Sequence, residues 1–249
     1  ATLTALIAGD ASDVATSEQA LSYRLRQGHL GFVLWGDEST ASTDPLQRLG
    51  RVLSRLSHEL GSDSTPLFVP QDRSLGWGWV PLSPDHEVDL GLLAEVLRES
   101  GEDVRAAVGG VGHGPAGFRS THREALRALQ VAVIGADRSR RLTSYADAGV
   151  RAAAILAGDL SSTRELVAAT LGDLARDDEG LQRLRETLTV FLRENRSYVA
   201  TAEKVHLHKN TVKYRVDKAV QVRGRPVDDD ALDLELALVA CQWLGPAVL

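Results

Sequence analysis

The chain has 249 residues, of which 43% are hydrophobic, and its formal net charge is −6. This composition fits one large or two ordinary globular domains, and no apolar run reaches the roughly twenty residues that a membrane-spanning helix needs. The single cysteine, Cys241, excludes an internal disulfide framework, and its apolar neighbours predict an inert buried thiol.

The start of the sequence lacks the basic and apolar regions of a signal peptide, so we expect a cytoplasmic protein. The sequence also contains no methionine, even at position 1. From this we expect the chain to be a fragment, with a further segment preceding it in the full protein.

The first part of the chain, from about residue 30 to 145, mixes strand and helix patterns. Leu30–Trp35 is a continuous apolar run, typical of a buried strand, and helical apolar spacing follows over Pro45–Leu60. Further strands are predicted at 66–70, 75–80, 104–111 and 142–145, and further helices at 88–98 and 119–133. The order β-α-β-β-α-β-α-β predicts an α/β sandwich that contains a hairpin.

From about residue 149 onward the pattern is helical throughout. Helices are predicted at about 149–157, 162–175, 181–194, 198–205, 209–221 and 230–243. The last helix carries a set of large apolar side chains, for which a place in the core is favoured over an interface. They are Leu232, Leu234, Leu236, Leu238, Val239 and Trp243.

The basic residues are unevenly distributed, because all four lysines lie between residues 204 and 218. The window 195–225 holds eight Lys or Arg against two acidic residues, so it carries about +6 and the remainder of the chain about −12. A cationic segment in an acidic chain favours a polyanionic partner. The alternative is an ordinary solvated helix face.

This basic window has the residue spacing of a helix-turn-helix. Ser197 is a natural N-cap for a first short helix, and Ala202 is small where a second helix must cross closely. A shared apolar core is predicted from Val205, Leu207, Val212 and Val216.

At about 100° per residue, the second helix separates an inner and an outer face. The inner face holds Val212, Val216, Ala219 and Val220, and the outer face holds Asn210, Thr211, Tyr214, Asp217, Lys218 and Gln221. We predict that the residues nearest the bases of duplex DNA are Lys209, Asn210, Thr211 and Tyr214. The residues predicted to hold the DNA backbone are Lys213, Arg215 and Lys218. His208, at the helix start, is predicted to touch a phosphate. The alternative is a helical hairpin in which Asn and Thr cap the helix and Arg215 pairs with an acid.

Three segments carry a family resemblance. Residues 187–195 (TLTVFLREN), Thr201-Ala202 and residues 208–216 (HKNTVKYRV) resemble the C-terminal helix-turn-helix of PucR/CdaR-type bacterial transcription regulators. The patterns of that domain are "TL..YL..N", "TA..L..H.NT..YR" and a following "GR.L", which Gly224-Arg225 begins here. The chain departs from these patterns at Lys209, Val205 and Pro226-Val227, and none of these changes removes a needed chemical group.

The resemblance extends upstream. Residues 117–129 (GFRSTHREALRAL) are similar to a segment of the degenerate GGDEF-like domain that precedes this helix-turn-helix in the family. The resemblance implies a nucleotide-cyclase-like fold, and a ligand-sensing or signal-receiving domain further N-terminal, with residues 1–25 as the helical connector to it.

Enzyme readings are not favoured. The predicted hairpin reads QDRSLGWGW over residues 71–79, without the GGDEF signature that a diguanylate cyclase needs, although Asp37, Glu38 and Asp72 could be acids of such a site. Gly112–Gly117 satisfies GxGxxG, but Pro115 removes an amide, and a plain strand-to-helix loop is favoured. His206 and His208 lack the further ligands of a zinc site.

The sequence thus predicts an α+β two-domain protein, with a ferredoxin-like cyclase-fold sandwich followed by an all-α helix-turn-helix domain. The predicted parts are a connector (1–25), an inactive GGDEF-like domain (26–148), a helical linker (149–180) and the helix-turn-helix domain (181–249). We expect a DNA-binding regulator that forms a homodimer or higher homo-oligomer, responds to an unidentified effector, and has no catalytic residues, cofactor or metal. The alternatives are a nucleotide-binding or cyclic-nucleotide-metabolising enzyme, or a protein-interaction module with a basic helix.

Overall fold

The computed structural model describes residues 2–9, 13–36, 44–83, 86–101, 103–137 and 139–249. The chain divides into two compact units, one of Ala1–Ala132 with Asp137–Arg151, the other of Val133–Ala136 with Ala152–Leu249. Among the described residues, no helix combines the length and apolar character needed to cross a membrane.

The first unit is a five-stranded sheet with helices on both faces. Its strands are β1 (Gly28–Gly36), β2 (Leu67–Pro70), β3 (Leu75–Leu82), β4 (Val104–His113) and β5 (Leu142–Ser144), and its helices are α1 (Thr2–Ala8), α2 (Val14–Leu21), α3 (Pro45–Glu59), α4 (Leu90–Glu99) and α5 (Gly114–Gly135), whose end reaches into the second unit. The strand order is β2-β3-β1-β4-β5, with β1 antiparallel to both neighbours and β4 parallel to β5. The predicted order of elements and the predicted hairpin are confirmed.

The central strand β1 is apolar from Leu30 to Trp35 because both of its faces are covered. Leu30, Phe32 and Leu34 pack with α3 and α4 in one core. Gly31, between them, faces α5 on the other side of the sheet, as the alternation of side chains along a strand requires.

A second, aromatic core lies on the α5 face of the sheet. Its buried members are Leu6, Tyr23, Leu25, Trp79 and Phe118. The Trp79 ring stacks on Phe118 with ring centroids 4.4 Å apart, and its Nε1 donates to the Phe118 carbonyl oxygen at 3.0 Å. The segment predicted as a connector (1–25) therefore contributes buried side chains to the core of this unit.

Helix α5 lies unusually close to the sheet, and glycines make room for it. A Cβ on Gly109 of β4 would lie far inside contact distance of the Thr121 carbonyl oxygen. The register of β1 against β4 shifts between Leu30 and Phe32, and at this irregularity the Gly31 amide donates to Thr121 Oγ1 at 2.7 Å. The α5 side chain thus satisfies a backbone donor that the strand ladder leaves free.

The prediction of a loop at Gly112–Gly117 is wrong. Strand β4 continues to His113 and α5 begins at Gly114, five residues before the predicted start at Arg119. The backbones of Gly112 and Gly117 touch, and a Cβ on either residue would overlap the other. The glycine pattern therefore reflects close packing of a helix on a strand.

The second unit is helical. It contains the end of α6 (Val150–Leu156), then α7 (Leu160–Leu171), a 3₁₀ helix (Gly172–Ala175), α8 (Glu179–Arg193), α9 (Tyr198–Lys204), α10 (Lys209–Arg223), α11 (Ala231–Leu244) and a final 3₁₀ helix (Gly245–Ala247). Part of the segment predicted as a linker (149–180) forms α7, which packs on α11.

Helix α11 supplies the core of this unit, as the apolar pattern predicts. Leu234, Leu238 and Trp243 are buried, whereas Leu232 is 70% exposed. Cys241 is also buried, and burial raises the pKa of its thiol to about 11, which leaves it an unreactive thiol at neutral pH.

Substitution of Gly109 by alanine should destabilise the first unit by about 3 kcal/mol, the upper end for overpacking, because the new methyl group meets backbone that cannot move aside. Urea unfolding followed by circular dichroism measures the effect. Gly50→Ala is the matched control: its Cβ would lie 3.7 Å from the Phe68 ring, and α3 should gain about 0.5–1 kcal/mol from the helix preference of alanine. Equal stabilities of the two variants would contradict the close approach of α5.

Candidate nucleic-acid interface

Helices α8, α9 and α10 are separated by two sharp corners that the sequence encodes. Helix α8 ends at Arg193, and Asn195 and Arg196 just after it both have positive φ. The Arg196 amide donates back to the Phe191 carbonyl oxygen at 2.8 Å. Asparagine tolerates this left-handed conformation better than most residues, which explains the final position of the 187–195 pattern. Ser197 then caps α9, accepting from the Ala200 amide at 3.3 Å, as predicted.

The corner between α9 and α10 is a Schellman-type end. His206 has φ +53°, and the Leu207 amide donates back to the Ala202 carbonyl oxygen at 3.0 Å. His208 is the N-cap of α10, and its Nδ1 accepts from the Asn210 amide at 3.2 Å. Both histidines therefore have a structural role in the turn.

The two faces of α10 are as predicted. Val212, Val216 and Ala219 are buried and Val220 is half-buried, so they attach the helix to the rest of the unit. The outer residues Lys209, Asn210, Thr211, Lys213, Tyr214, Asp217, Lys218 and Gln221 are all exposed. Tyr214 is 66% exposed, which is unusual for so large an aromatic side chain.

The helix crossing differs in one detail from the prediction. Ala202 is only half-buried, and the fully buried residue of α9 is its neighbour Thr201. The Thr201 hydroxyl donates to the Ser197 carbonyl oxygen at 2.7 Å, so its polar atom is satisfied within its own helix. Val205 and Leu207 are half-buried beside Val212 and Val216.

The arginines and lysines of the basic window have different roles. Each arginine side chain is bonded within the protein: Arg196 to Asp228, Arg215 to Thr187, and both Arg223 and Arg225 to Asp230. The lysines Lys204, Lys209, Lys213 and Lys218 are exposed, and no carboxylate of the described residues pairs with them. The cationic surface is thus made by the lysines, and Lys218 additionally donates to Gln221 Oε1 at 3.1 Å.

Arg215 is placed apart from the other predicted contact residues. It is half-buried, and its Nη1 donates to Thr187 Oγ1 on α8 at 3.3 Å. The Arg215 guanidinium has further N–H donors that the bond to Thr187 does not use, so this bond is compatible with a phosphate contact. That contact stays a prediction.

Sequence reasoning missed a buried hub around Arg223. The Arg223 side chain is 0% exposed, and it donates from Nε to the Thr170 carbonyl oxygen at 2.9 Å and from Nη1 to the Pro226 carbonyl oxygen at 2.8 Å. Its Nη2 pairs with Asp230, which Arg225 also contacts at 3.2 Å. Gly224, at φ +78°, ends α10 and lets the chain turn back over this guanidinium. In the sequence, Arg223 is indistinguishable from the other basic residues of the window.

The acids considered for a cyclase site have other roles or fall outside the description. Asp37 and Glu38 lie outside the described residues. Asp72 accepts from the Ser74 and Leu75 amides, each at 2.8 Å, and these bonds hold the hairpin turn and lower the pKa of its carboxyl. In the described ranges, no group of three His, Cys, Asp or Glu residues could hold a metal ion.

Two domain-family models match this chain, one mainly in each of the two units. Residues 8–131 match the model of the family described as "GGDEF-like domain", and residues 184–240 match that of the "PucR C-terminal helix-turn-helix domain". Residues 184–240 therefore carry a PucR-type helix-turn-helix domain, and residues 8–131 carry a GGDEF-like domain. The match at 184–240 includes α9 and α10, and the match at 8–131 includes most of the sheet described above.

Several curated proteins are similar to parts of this chain. The purine catabolism regulatory protein of Bacillus subtilis (strain 168) is 33% identical over 69 residues, and the transcriptional activator PmfR of Paenarthrobacter nicotinovorans is 35% identical over 77 residues. The first match covers 28% of this chain and 13% of the length of its relative, and the second covers 31% of this chain and 16% of the length of its relative. The uncharacterized protein YxkF of B. subtilis is 42% identical over 41 residues, which are 16% of this chain and 14% of YxkF.

A solved structure also matches along most of the chain. It is the crystal structure of a regulator of polyketide synthase expression from Bifidobacterium adolescentis, with a TM-score of 0.46 and 21% identity. The match covers 97% of this chain and 91% of that chain.

Replacement of Arg223 by alanine should destabilise the second unit by about 3 kcal/mol or more, because Asp230 and several carbonyl oxygens lose a buried partner. Lys218→Ala is the matched control within α10, and it should change the free energy of unfolding by less than about 0.5 kcal/mol because its side chain is exposed. Thermal and urea unfolding measure the free energy of unfolding of the two variants. A stable Arg223→Ala variant would mean that the hub does not hold the end of α10.

Proposed function

We propose that this chain is the DNA-binding part of a transcription regulator, with α10 entering the major groove of duplex DNA. The observation that carries the proposal is the exposed face of α10, where lysines that pair with no carboxylate in the described part of the chain surround Asn210, Thr211 and Tyr214. Ammonium groups attract the phosphate backbone, and the polar side chains near the helix start have the reach to contact base edges. The family match to the PucR helix-turn-helix over residues 184–240 supports the same conclusion.

The geometry of α9 and α10 supports this use of the basic surface. A short helix of seven residues, a capped corner and a second helix of fifteen residues form a compact pair that presents one exposed helix face. Lys204, at the end of α9, and Lys209 and Lys213, on α10, provide cations from both members of the pair. Two helices that cross in this way allow one to contact the DNA backbone while the other lies in the groove.

We further propose that the full protein acts as a homodimer or higher oligomer. One α10 reads only a few base pairs, whereas two copies can read half-sites one helical turn, about 34 Å, apart. The proposal extends to an effector-controlled regulator with no catalytic activity of its own, in line with the curated relatives that are named regulators and activators. Analytical ultracentrifugation of the protein, with and without a palindromic duplex, measures its oligomeric state and tests this proposal.

Substitution of Lys213 or Lys218 by alanine should weaken binding to all duplex sequences to a similar degree. Each loss of a phosphate contact should also reduce the slope of log K against log salt by about 1. Fluorescence anisotropy with a labelled duplex at several salt concentrations measures both quantities. Because all four lysines lie in this segment, the charge-matched control is Arg98→Ala on α4, which should leave binding unchanged. A salt dependence equal to that of the wild type in both lysine variants would contradict the phosphate contacts.

Replacement of Asn210 by alanine should relax base preference while leaving non-specific affinity nearly unchanged. An amide that bonds a base edge contributes about 1–3 kcal/mol of discrimination, which is roughly a five- to hundredfold preference. Selection from a random duplex pool, followed by affinity measurement on the selected and scrambled sites, gives this preference. Gln221→Ala removes an amide from the far end of the same helix face and is the matched control. Selectivity equal to that of the wild type would remove Asn210 from the set of base-reading residues.

A further inference from the structure

A groove in the first unit has a composition that the DNA-binding proposal does not explain. It lies between the end of α1 and the outer side of α5, with a volume of about 530 Å³. Its apolar walls include Ile7, Ala116 and Leu126, and its polar lining includes Arg119, Arg123 and His122. It is therefore a cleft of mixed lining, with apolar side chains on its walls and two cations beside them.

The two arginines stand on one face of α5, one turn apart. Residues separated by four positions on a helix project in the same direction, so Arg119 and Arg123 bring two guanidinium groups to the same groove. Arg119 is half-buried and Arg123 is exposed, and no carboxylate of the described residues pairs with either. Guanidinium groups bind carboxylates and phosphates through paired N–H donors, which makes an anion the natural complement.

His122 is the buried polar residue of this groove. It is only 1% exposed, and neither ring nitrogen has a hydrogen-bond partner among the described residues. Its ring is stacked on the Trp79 ring, with ring centroids 5.0 Å apart, and makes a T-shaped contact with the Trp77 ring, with ring centroids 4.4 Å apart. These two neighbours hold the imidazole in place. Buried polar atoms without partners are uncommon in folded proteins, and a ligand that supplies the missing hydrogen bond is one physical reason for retaining such a residue.

Burial also settles the charge of this histidine. It lowers the pKa of His122 to about 4, so the imidazole is neutral at pH 7. The positive charge of the groove therefore comes from the two arginines, while His122 offers a neutral donor and acceptor.

We propose that this groove binds a small organic anion, with Arg119 and Arg123 holding its carboxylate or phosphate group and the apolar walls covering an apolar body. The apolar lining of Ile7, Ala116 and Leu126 favours an organic molecule over an inorganic ion, since an inorganic ion gains nothing from it. The site is independent of the DNA interface, which belongs to the second unit.

Isothermal titration calorimetry with benzoate, phenyl phosphate and inorganic phosphate tests the proposal. We expect saturable binding of benzoate or phenyl phosphate below about 10 mM, at least about fivefold tighter than that of inorganic phosphate. No saturable binding of the two aromatic anions, or inorganic phosphate binding equally well, would overturn it.

Two variants locate the site. The double substitution Arg119→Gln and Arg123→Gln should weaken binding by about tenfold or more, whereas Arg98→Gln, on α4, should leave it unchanged. Because Arg123 is exposed and Arg119 is only half-buried, the variants should keep the fold, which circular dichroism verifies. Binding that is equal in wild type and the double variant would overturn the site.

A third variant tests the histidine. His122→Phe preserves a ring against Trp79 but removes both ring nitrogens, and it should weaken binding by about fivefold. In the wild type, the ring nitrogen signals of His122 should shift on addition of the anion in a proton–nitrogen NMR spectrum. If they do not move while binding is saturated, His122 is not part of the site.

Discussion

The buried guanidinium of Arg223 constrains the helix-turn-helix part of the second unit. A cation that is removed from water must find partners for its donors, and here they come from the end of α7, from the loop after α10, and from Asp230 at the start of α11. Three separate segments are thereby fixed to the last turn of α10. The orientation of the exposed helix face follows from this attachment and from the buried valines on its inner side.

A second buried arginine, Arg185, attaches α8 in a similar way. Arg185 donates from Nη1 to the carbonyl oxygens of Leu174 and Arg176, at 2.7 and 2.9 Å, and so attaches α8 to the segment that follows α7. Each of the two arginines bonds a carbonyl oxygen near a helix end, Arg223 that of Thr170 in α7 and Arg185 that of Leu174 in the 3₁₀ helix, where the last carbonyl groups lack partners within the helix. The helices that carry the helix-turn-helix are therefore positioned by charge-assisted bonds as well as by apolar packing.

Apolar spacing, capping residues and turn residues sufficed to predict the order of strands and helices, the N-cap Ser197 and the two faces of α10, because these features depend on the local sequence. The hub around Arg223 could not be predicted in this way, since its acceptor on Thr170 lies 53 positions away and only the tertiary structure brings the two together. The glycines of β4 show the same limit. The pattern GxGxxG is equally compatible with a phosphate loop and with a helix packed on a strand, and only the position of α5 against Gly109 and Gly112 distinguishes them.

The division between arginine and lysine in the basic window follows from the chemistry of the two cations. A guanidinium is planar, less strongly hydrated and rich in directed donors, so it suits contacts with carbonyl oxygens and carboxylates inside the protein. An ammonium is compact and strongly hydrated, so it stays at the surface on a flexible stem and can follow a phosphate backbone. A charge count therefore overstates the cationic surface of this window, because three of its eight basic residues, Arg196, Arg223 and Arg225, pair with the carboxylates of Asp228 and Asp230. The remaining positive charge is carried by the four lysines and Arg215, which lie on α9 and α10.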